Sequence, residues 1–402
     1  MAELKQQLAA DVARIQPDLV AWRRRLHQNP ELSFQEHETT AFIEARLHDF
    51  GALEITRPTP TGVVARLIGA RPGPVVAIRA DIDALPIQEE NSFAFRSQRP
   101  GVMHACGHDG HTTMLLGAAK VLTGYQTRLS GEVRFIFQHA EEQLPGGAEA
   151  LVQAGVMDQV DRVIGAHMEP GLPVGTFAMR AGPVTASPDT FRIVITGLGG
   201  HAADPHRSVD PVAIGVQVVA NLQMIVARNT DPQEALVVSV TKFMAGSADN
   251  IIPGSVELGG TVRSFNPELR QKVPVLMERI VRGVTEAHGA SYEFTYVQGY
   301  RSVINDQAVT DLVRRALTQT FGPEAVVEGV PLMAGEDFSA YQTKAPGCFY
   351  QVGSGNVAEG ITYPLHHPRF TLDEGALSVG VMAFLACISD WLKLADGDFA
   401  PA

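Results

Sequence analysis

The stretch MHACGHDGH, residues 103–111, sets Cys106 between His104 and His108 and adds Asp109 and His111. Thiolate, imidazole and carboxylate are the donors that hold zinc, and carboxylate with imidazole also serves manganese. Donors of these kinds recur along the chain: Asp81 and Asp83 in RADIDALP, Glu141 and Glu142 in FQHAEE, His167 in IGAHMEP, and His366 and His367 in YPLHHPRF. A bound divalent metal lowers the pKa of a water towards about 7, and a nearby carboxylate can then take its proton. Each motif alone has a plainer reading. A free cysteine is most often a small buried hydrophobe, which is how Cys348 and Cys387 are read, and adjacent glutamates are usually a solvated pair.

What favours the metal reading is where the donors fall relative to the elements. Short apolar runs alternate with helical stretches: strands are expected at Val63–Ile68, Val75–Ala80, Val133–Gln138 and Val163–Ala166, and helices at Thr112–Leu122 and Ala148–Ala154. Residues 1–50 read as helical with a break at Asn29-Pro30. This alternation predicts an α/β sheet with parallel strands. Asp81 and Asp83, Glu141 and Glu142, and His167 each follow a strand, while Cys106 and His108 precede a helix. In open α/β sheets, ligands bind beyond the carboxyl ends of the strands, so these groups converge on one crevice.

Near residue 183 the pattern changes. TFRIVITG, ALVVSVTKFMAG, SVELGGTVRSF and SYEFTYVQGY read as strands, with long amphipathic helices at 210–228 and from Pro267 to Gly289. The order strand–helix–strand–strand–helix–strand is the split βαβ, ferredoxin-like plan. The expected organisation is therefore a catalytic domain in two parts, 1–184 and 297–402, with an α+β domain inserted at 185–296.

Composition narrows the classes. The 402 residues carry a formal net charge of -12, which argues against a nucleic-acid partner, since phosphate binding needs clustered Lys and Arg. No membrane span is expected, because the longest apolar stretches are strand-length or broken by polar residues. The acidic, amphipathic N-terminal run does not read as a signal peptide. Three widely spaced cysteines do not make a disulfide framework and suit a reducing cytoplasm.

Five segments, MHACGHDGHTTMLLGAA, FQHAEE, GAHMEP, GGHAADPHRSVDP and MAGEDFSAY, closely resemble the M20 metallopeptidase family, and within it the amidohydrolase branch of hippurate hydrolases, N-acyl-amino-acid amidohydrolases and indole-acetyl-amino-acid hydrolases. The resemblance covers nearly the whole chain, in order. It implies a zinc-peptidase-like catalytic domain with two divalent metals (Zn2+ or Mn2+, with Co2+ or Ni2+ as further candidates) and an inserted lid that often forms a homodimer. By position in the motifs, Cys106, His108, Glu142, His167 and His366 are the implied metal ligands, with Cys106 bridging. His366 is preferred to His367 because the family pattern reads Leu-His-x-Pro. Glu141 is the implied general base.

The same resemblance makes ligation by Asp81 doubtful and suggests that Asp83 supports a ligand histidine. His201, in GLGGHAADPH, is the implied lid histidine that reaches the substrate carbonyl, often across a dimer interface. Asn250 and Arg263 are the implied grip on the substrate's free carboxylate, a task that suits the planar fork of Arg. Asp109 and His111 are expected to cap and pack the following helix. His139 stands where many relatives have Pro. The implied reaction is hydrolysis of an N-acyl amino acid, with a dipeptidase or carboxypeptidase as the rival. A non-catalytic binding protein would have lost Glu141 or a ligand, and the set is complete.

Overall fold

A computed structural model describes residues 2–392. The described chain divides into two compact units: residues 2–184, 304–330 and 337–392 form the first, and residues 185–303 with 331–336 the second.

The first unit is built on an eight-stranded sheet with the strand order Glu54–Thr56, Val63–Ile68, Ser130–Gln138, Arg71–Asp81, Arg162–Pro173, Gly347–Gly355, Phe177–Met179, Val326–Glu328. The four central strands run parallel. The expectation of parallel strands fails at the flanks, where Val63–Ile68 pairs antiparallel with Ser130–Gln138, and Gly347–Gly355 with Phe177–Met179. Only Gly69 and Ala70 separate Val63–Ile68 from Arg71–Asp81. A parallel crossover needs a dozen or more residues, so the chain must reverse there.

The helix Ala2–Gln28 shows why the sheet is covered. Leu4, Leu8, Val12, Ile15, Leu19, Trp22 and Leu26 recur every three or four residues and are all buried, the stripe of a helix laid on a core. Burying each such side chain contributes about 1.5–3 kcal/mol. This helix packs with His108–Thr123 and Gly375–Trp391, which are buried over most of their surfaces. The helix that starts at His108, two residues after Cys106, is therefore held from several sides.

The second unit has a four-stranded antiparallel sheet, ordered Leu236–Ala245, Ser255–Ser264, Ser187–Thr196, Ser291–Val297. Numbered along the chain this is 2-3-1-4, as a split βαβ plan requires. Phe191, Ile193 and Ile195 alternate inwards along Ser187–Thr196 and meet Ile214, Val218 and Leu222 of the helix Pro211–Met224, and Val273, Met277 and Val281 of Pro267–Ala287. Both helices start on a capping side chain followed by proline: Asp210 accepts from Val212 N–H and Ala213 N–H, and Asn266 from Glu268 N–H and Leu269 N–H. Among the described residues one helical run, Pro211–Asn229, is long and apolar enough to cross a membrane, against the expectation of no such stretch. Ile214, Val218, Leu222 and Ile225 on it are buried in this unit's own core. Residues 331–336, outside the stretch expected for the insertion, join this unit because Ala186 N–H donates to the carbonyls of Leu332 and Ala334.

Candidate metal centre and active site

The first unit gathers donors at the carboxyl ends of its parallel strands. Arg71–Asp81 ends on Asp81, and Ser130–Gln138 leads into His139, Ala140, Glu141 and Glu142. His167 lies within the strand Arg162–Pro173, which runs longer than its apolar pattern indicated. Cys106 is joined to the helix starting at His108 by Gly107, whose φ of +86° is left-handed and favours glycine. A Cβ there would also come within 3.3 Å of Met168 Cβ.

Two donor groups result. Cys106, His108 and His167 offer ligand atoms all within 4.8 Å of one another, and so do Cys106, Glu142 and His366. Cys106 belongs to both. Its Sγ lies 3.4 Å from His167 Nε2, and His366 Nε2 lies 3.2 Å from Glu142 Oε1. Glu141 forms a similar group with His108 and Glu142. His367 is engaged elsewhere, stacked 4.5 Å from the Tyr363 ring and accepting from Arg369 N–H.

Hydrogen bonds fix which ring nitrogen each histidine presents. His108 Nδ1 faces Asp83 O at 3.0 Å and Asp83 Oδ1 at 3.2 Å, both acceptors, so Nδ1 carries the proton. His108 Nε2 is buried and makes no hydrogen bond to the described residues. A buried ring nitrogen without a hydrogen-bond partner, beside a thiol and a carboxylate, is a place where a cation would displace the ring's proton. His167 Nδ1 donates to Met168 O at 2.8 Å, which turns its Nε2 lone pair towards Cys106. Burial, with His111 nearby, lowers His167 to about 3, so it is a neutral donor. Burial also disfavours a charged His108, but Asp81, Asp83 and Glu142 override it and push that ring up to about 10. Burial and the carboxylates of Glu142, Glu141 and Asp81 hold the Cys106 thiol well above its usual range. A divalent cation touching the sulfur acts in the opposite sense. The donor set fits a pair of divalent ions.

Asp83 supports this arrangement from beneath. Its Oδ2 accepts from Ser33 Oγ–H at 2.7 Å and from Glu142 N–H at 3.0 Å, while Oδ1 faces His108. Burial raises its pKa, but these bonds outweigh burial and hold the carboxylate below its ordinary value. Fully buried and bonded to protein groups, Asp83 holds His108 and the Glu142 backbone. Asp81 has both oxygens committed, Oδ1 to His111 Nδ1 at 2.5 Å and Oδ2 to Arg79 at 2.8 Å.

His111 is not a helix cap. Its Nδ1 meets Asp81, and its Nε2 accepts from Met168 N–H at 2.7 Å, linking the strand of Asp81 to the strand of His167. Asp109 has a different role from the expected cap as well: Arg23 Nε at 2.9 Å and His27 Nδ1 at 2.8 Å meet its Oδ2. It accepts only the neighbouring Gly110 N–H from its own helix. His139 is buried and packs edge-on against Phe34, with centroids 5.8 Å apart.

Sequence reasoning missed Arg79, Gln138 and Asp337. Buried Arg79 donates to Gln138 Oε1, Asp81 Oδ2 and Asp337 Oδ1, and Asp337 also accepts from Gln138 and Ala148 N–H. Breaking such a buried pair costs about 3–5 kcal/mol. An arginine inside a strand gives little warning of this; its only signal was a charge in the otherwise apolar run that ends at Asp81.

Backbone strain clusters here too. Ala140 has φ +51° and His366 φ +64°, left-handed conformations that cost a non-glycine residue on the order of 1 kcal/mol and gather at functional sites. His366 is pinned by its N–H donating to Ala105 O at 2.8 Å.

Residues 77–390 match peptidase family M20/M25/M40. The chain belongs to that family. It is 60% identical over 301 residues to an N-acyl-L-amino acid amidohydrolase of Geobacillus stearothermophilus, covering 75% of this chain and 81% of the relative. It is 41% identical over 385 residues to thermostable carboxypeptidase 2 of Saccharolobus solfataricus, covering 95% and 97%. A Bacillus subtilis crystal structure described as a dinuclear metal-binding peptidase of the M20 family superposes with a TM-score of 0.83 at 40% identity, covering 95% of this chain and all of that one.

The other expected residues of this M20 chain lie in the second unit. His201 and Asn250 are neighbours: His201 pairs with Ile251, and Ala202 N–H donates to Asn250 O at 3.0 Å. Both side chains are exposed. Arg263 is elsewhere. On Ser255–Ser264, Ser255 pairs with Thr196, close in sequence to His201, whereas Arg263 pairs with Pro188 at the opposite end. Eight steps at about 3.3 Å put roughly 25 Å between those ends. Arg263 is half-buried, and its Nη1 donates to Thr261 Oγ1 and Val262 O on its own strand. Within one unit, Asn250 and Arg263 are not brought together.

Proposed function

We propose that the chain is a metal-dependent amidohydrolase that cleaves N-acyl amino acids to a carboxylic acid and a free amino acid. The observation that carries this is the pair of donor groups sharing Cys106, with Glu141 beside them. On this reading Cys106, His108 and His167 hold one divalent ion, and Cys106, Glu142 and His366 the other. Zn2+ and Mn2+ suit the donors, with Co2+ or Ni2+ as alternatives. Bound ions there supply Lewis acidity and a water of lowered pKa. Glu141 takes the proton from the attacking water and passes it to the leaving amine. Asp83 keeps His108 in the tautomer that presents Nε2.

His201 stabilises the developing oxyanion, and Asn250 and Arg263 bind the free carboxylate. The separation of His201 and Asn250 from Arg263 supports a homodimer through the inserted lid, in which a second copy supplies what one chain cannot. Leu236–Ala245 is an edge strand, and such an edge can pair with its copy across a two-fold axis. The net charge of -12 argues against nucleic acid as a partner, and three free, buried cysteines fit a reducing cytoplasm. A second reading, carboxypeptidase, is supported by the name of the Saccharolobus relative; it and a dipeptidase would use the same groups. Assays of metal-reconstituted protein on N-acetyl and N-benzoyl amino acids and on dipeptides separate the two. Peptide cleavage without N-acyl amino acid cleavage would replace the first reading by the second.

A further inference from the structure

The loop between the helices Ala2–Gln28 and His37–Phe50 touches the site from outside the donor set. Glu36 stands at the N-cap of His37–Phe50, where a short polar side chain ordinarily accepts from that helix's own first amides. It makes no such bond. Glu31 does that work instead, its carboxylate accepting from Glu38 N–H at 3.2 Å and Thr39 N–H at 2.8 Å. Glu36 is thereby free for another task. Its Oε1 accepts from Phe34 N–H at 3.0 Å, within the loop, and from Ala140 N–H at 2.8 Å, more than a hundred residues away in sequence.

Ala140 is the left-handed residue immediately before Glu141 and Glu142. A non-glycine residue persists in that conformation only where its surroundings hold it. The same loop reaches the other side of the pair, since Ser33 donates to the Asp83 oxygen that also accepts Glu142 N–H. Phe34 packs against His139, the residue before Ala140. Residues 33–36 thus hold the chain on both sides of Glu141.

We propose that Glu36 is a positioning residue for Glu141: its carboxyl holds the Ala140 amide and so keeps the turn that aims the Glu141–Glu142 pair. The proposal rests on Glu141 being the proton carrier of the proposed reaction. What it needs from Glu36 is an acceptor oxygen at the right reach, not a charge. Burial and the neighbouring Asp83 push the Glu36 carboxyl up to about 7, so a neutral group is tolerated there.

Glu36→Gln keeps the acceptor and the reach; Glu36→Asp keeps the charge but shortens the side chain by one methylene; Glu36→Ala removes both. The full-length protein with divalent metal is used for each. Small misplacements of a reacting group cost up to about 100-fold. Glu36→Ala and Glu36→Asp should therefore lower kcat roughly 10- to 100-fold while KM stays within about threefold and metal content is unchanged. Glu36→Gln should stay within about threefold of wild type. Amide hydrogen exchange across 139–143 should quicken in the Ala and Asp variants and not in Gln. Wild-type kcat and exchange in Glu36→Ala overturn the proposal, as does a fully active Asp variant beside an inactive Gln variant, which would make the role one of charge. If wild type hydrolysed no amide substrate, the proposed function would fall, while the exchange pattern would still decide whether Glu36 holds this turn.

Discussion

Cys106 Sγ sits 3.4 Å from His167 Nε2, and the same sulfur belongs to the group formed with Glu142 and His366. One sulfur shared by two donor groups would, as a thiolate, be able to hold two cations. Without a cation, burial and then the neighbouring carboxylates would keep that sulfur protonated. Cys106→Ala should therefore disturb both sites together, lowering bound metal by more than one ion per chain and activity by at least about 100-fold. Elemental analysis of the variant and of chelator-treated wild type checks this. Full activity in metal-free protein would remove the metal reading.

Glu141→Gln separates chemistry from metal holding. Glutamine is isosteric but cannot accept and return a proton, so kcat should fall by about 10²–10⁴-fold. Metal content should stay at the wild-type level, because Glu142 and not Glu141 belongs to the group with Cys106 and His366. Near-normal turnover in this variant would assign the proton transfer to another group.

Legibility in the sequence followed the periodicity of each element. The helix Ala2–Gln28 repeats its buried positions every three or four residues, and the strands Ser187–Thr196 and Ser291–Val297 alternate between more and less buried positions, so pattern alone located them. The direction of the flanking strands was not legible, because apolar runs carry no sign of chain direction; the two-residue link at Gly69-Ala70 held that information. The donors Cys106, His108, Glu142, His167 and His366 come together in space; residue types at strand ends marked a wider set of candidates, and the resemblance to the M20 family singled out these five. The groups that hold them did not stand out. Asp81, Arg79 and Asp337 form one buried network across 258 residues of sequence, and Glu36 reaches Ala140 across 104. Such long-range polar contacts leave no local pattern to read.

Glu36 also gives a pH dependence with a definite sign. Its folded pKa, about 7, lies above the ordinary value of about 4.3 for an unfolded glutamate. Between those values the native state holds more protons than the unfolded state, so this group's contribution to stability falls as pH rises through the window. The shift corresponds to about 4 kcal/mol at most. Glu36→Gln does not titrate, so its thermal midpoint relative to wild type should rise from pH 4.5 to pH 7.5 and level off above. A difference independent of pH would mean that the carboxyl is charged throughout.

Arg263 can be tested by what the substrate carries. A chain of net charge -12 repels anions at long range, so an anionic substrate needs a local cation to hold it. Loss of a charge-assisted bond costs about 1.5–3 kcal/mol, or about ten- to a hundred-fold in kcat/KM. Arg263→Ala should show that loss on N-acyl amino acids and much less on the matching amides, which lack the charge. An equal loss on both would mean that Arg263 supports its strand through Thr261 and Val262 instead.

The separation between His201 and Arg263 makes the dimer testable through catalysis itself. If His201 serves the site of its partner, a heterodimer of one Glu141→Gln chain and one His201→Ala chain contains one complete site. The chain with intact Glu141 receives the intact His201 of the other, while the second site lacks both. Each homodimer of these variants has two defective sites. Heterodimers isolated with two affinity tags should then recover about half of wild-type activity, as one good site in a two-fold pair requires. If His201 acted within its own chain, each site of the heterodimer would lack one group, and activity would stay at the level of the homodimeric variants. Recovery would also establish that the two copies exchange residues through the inserted domain, which light scattering alone cannot do.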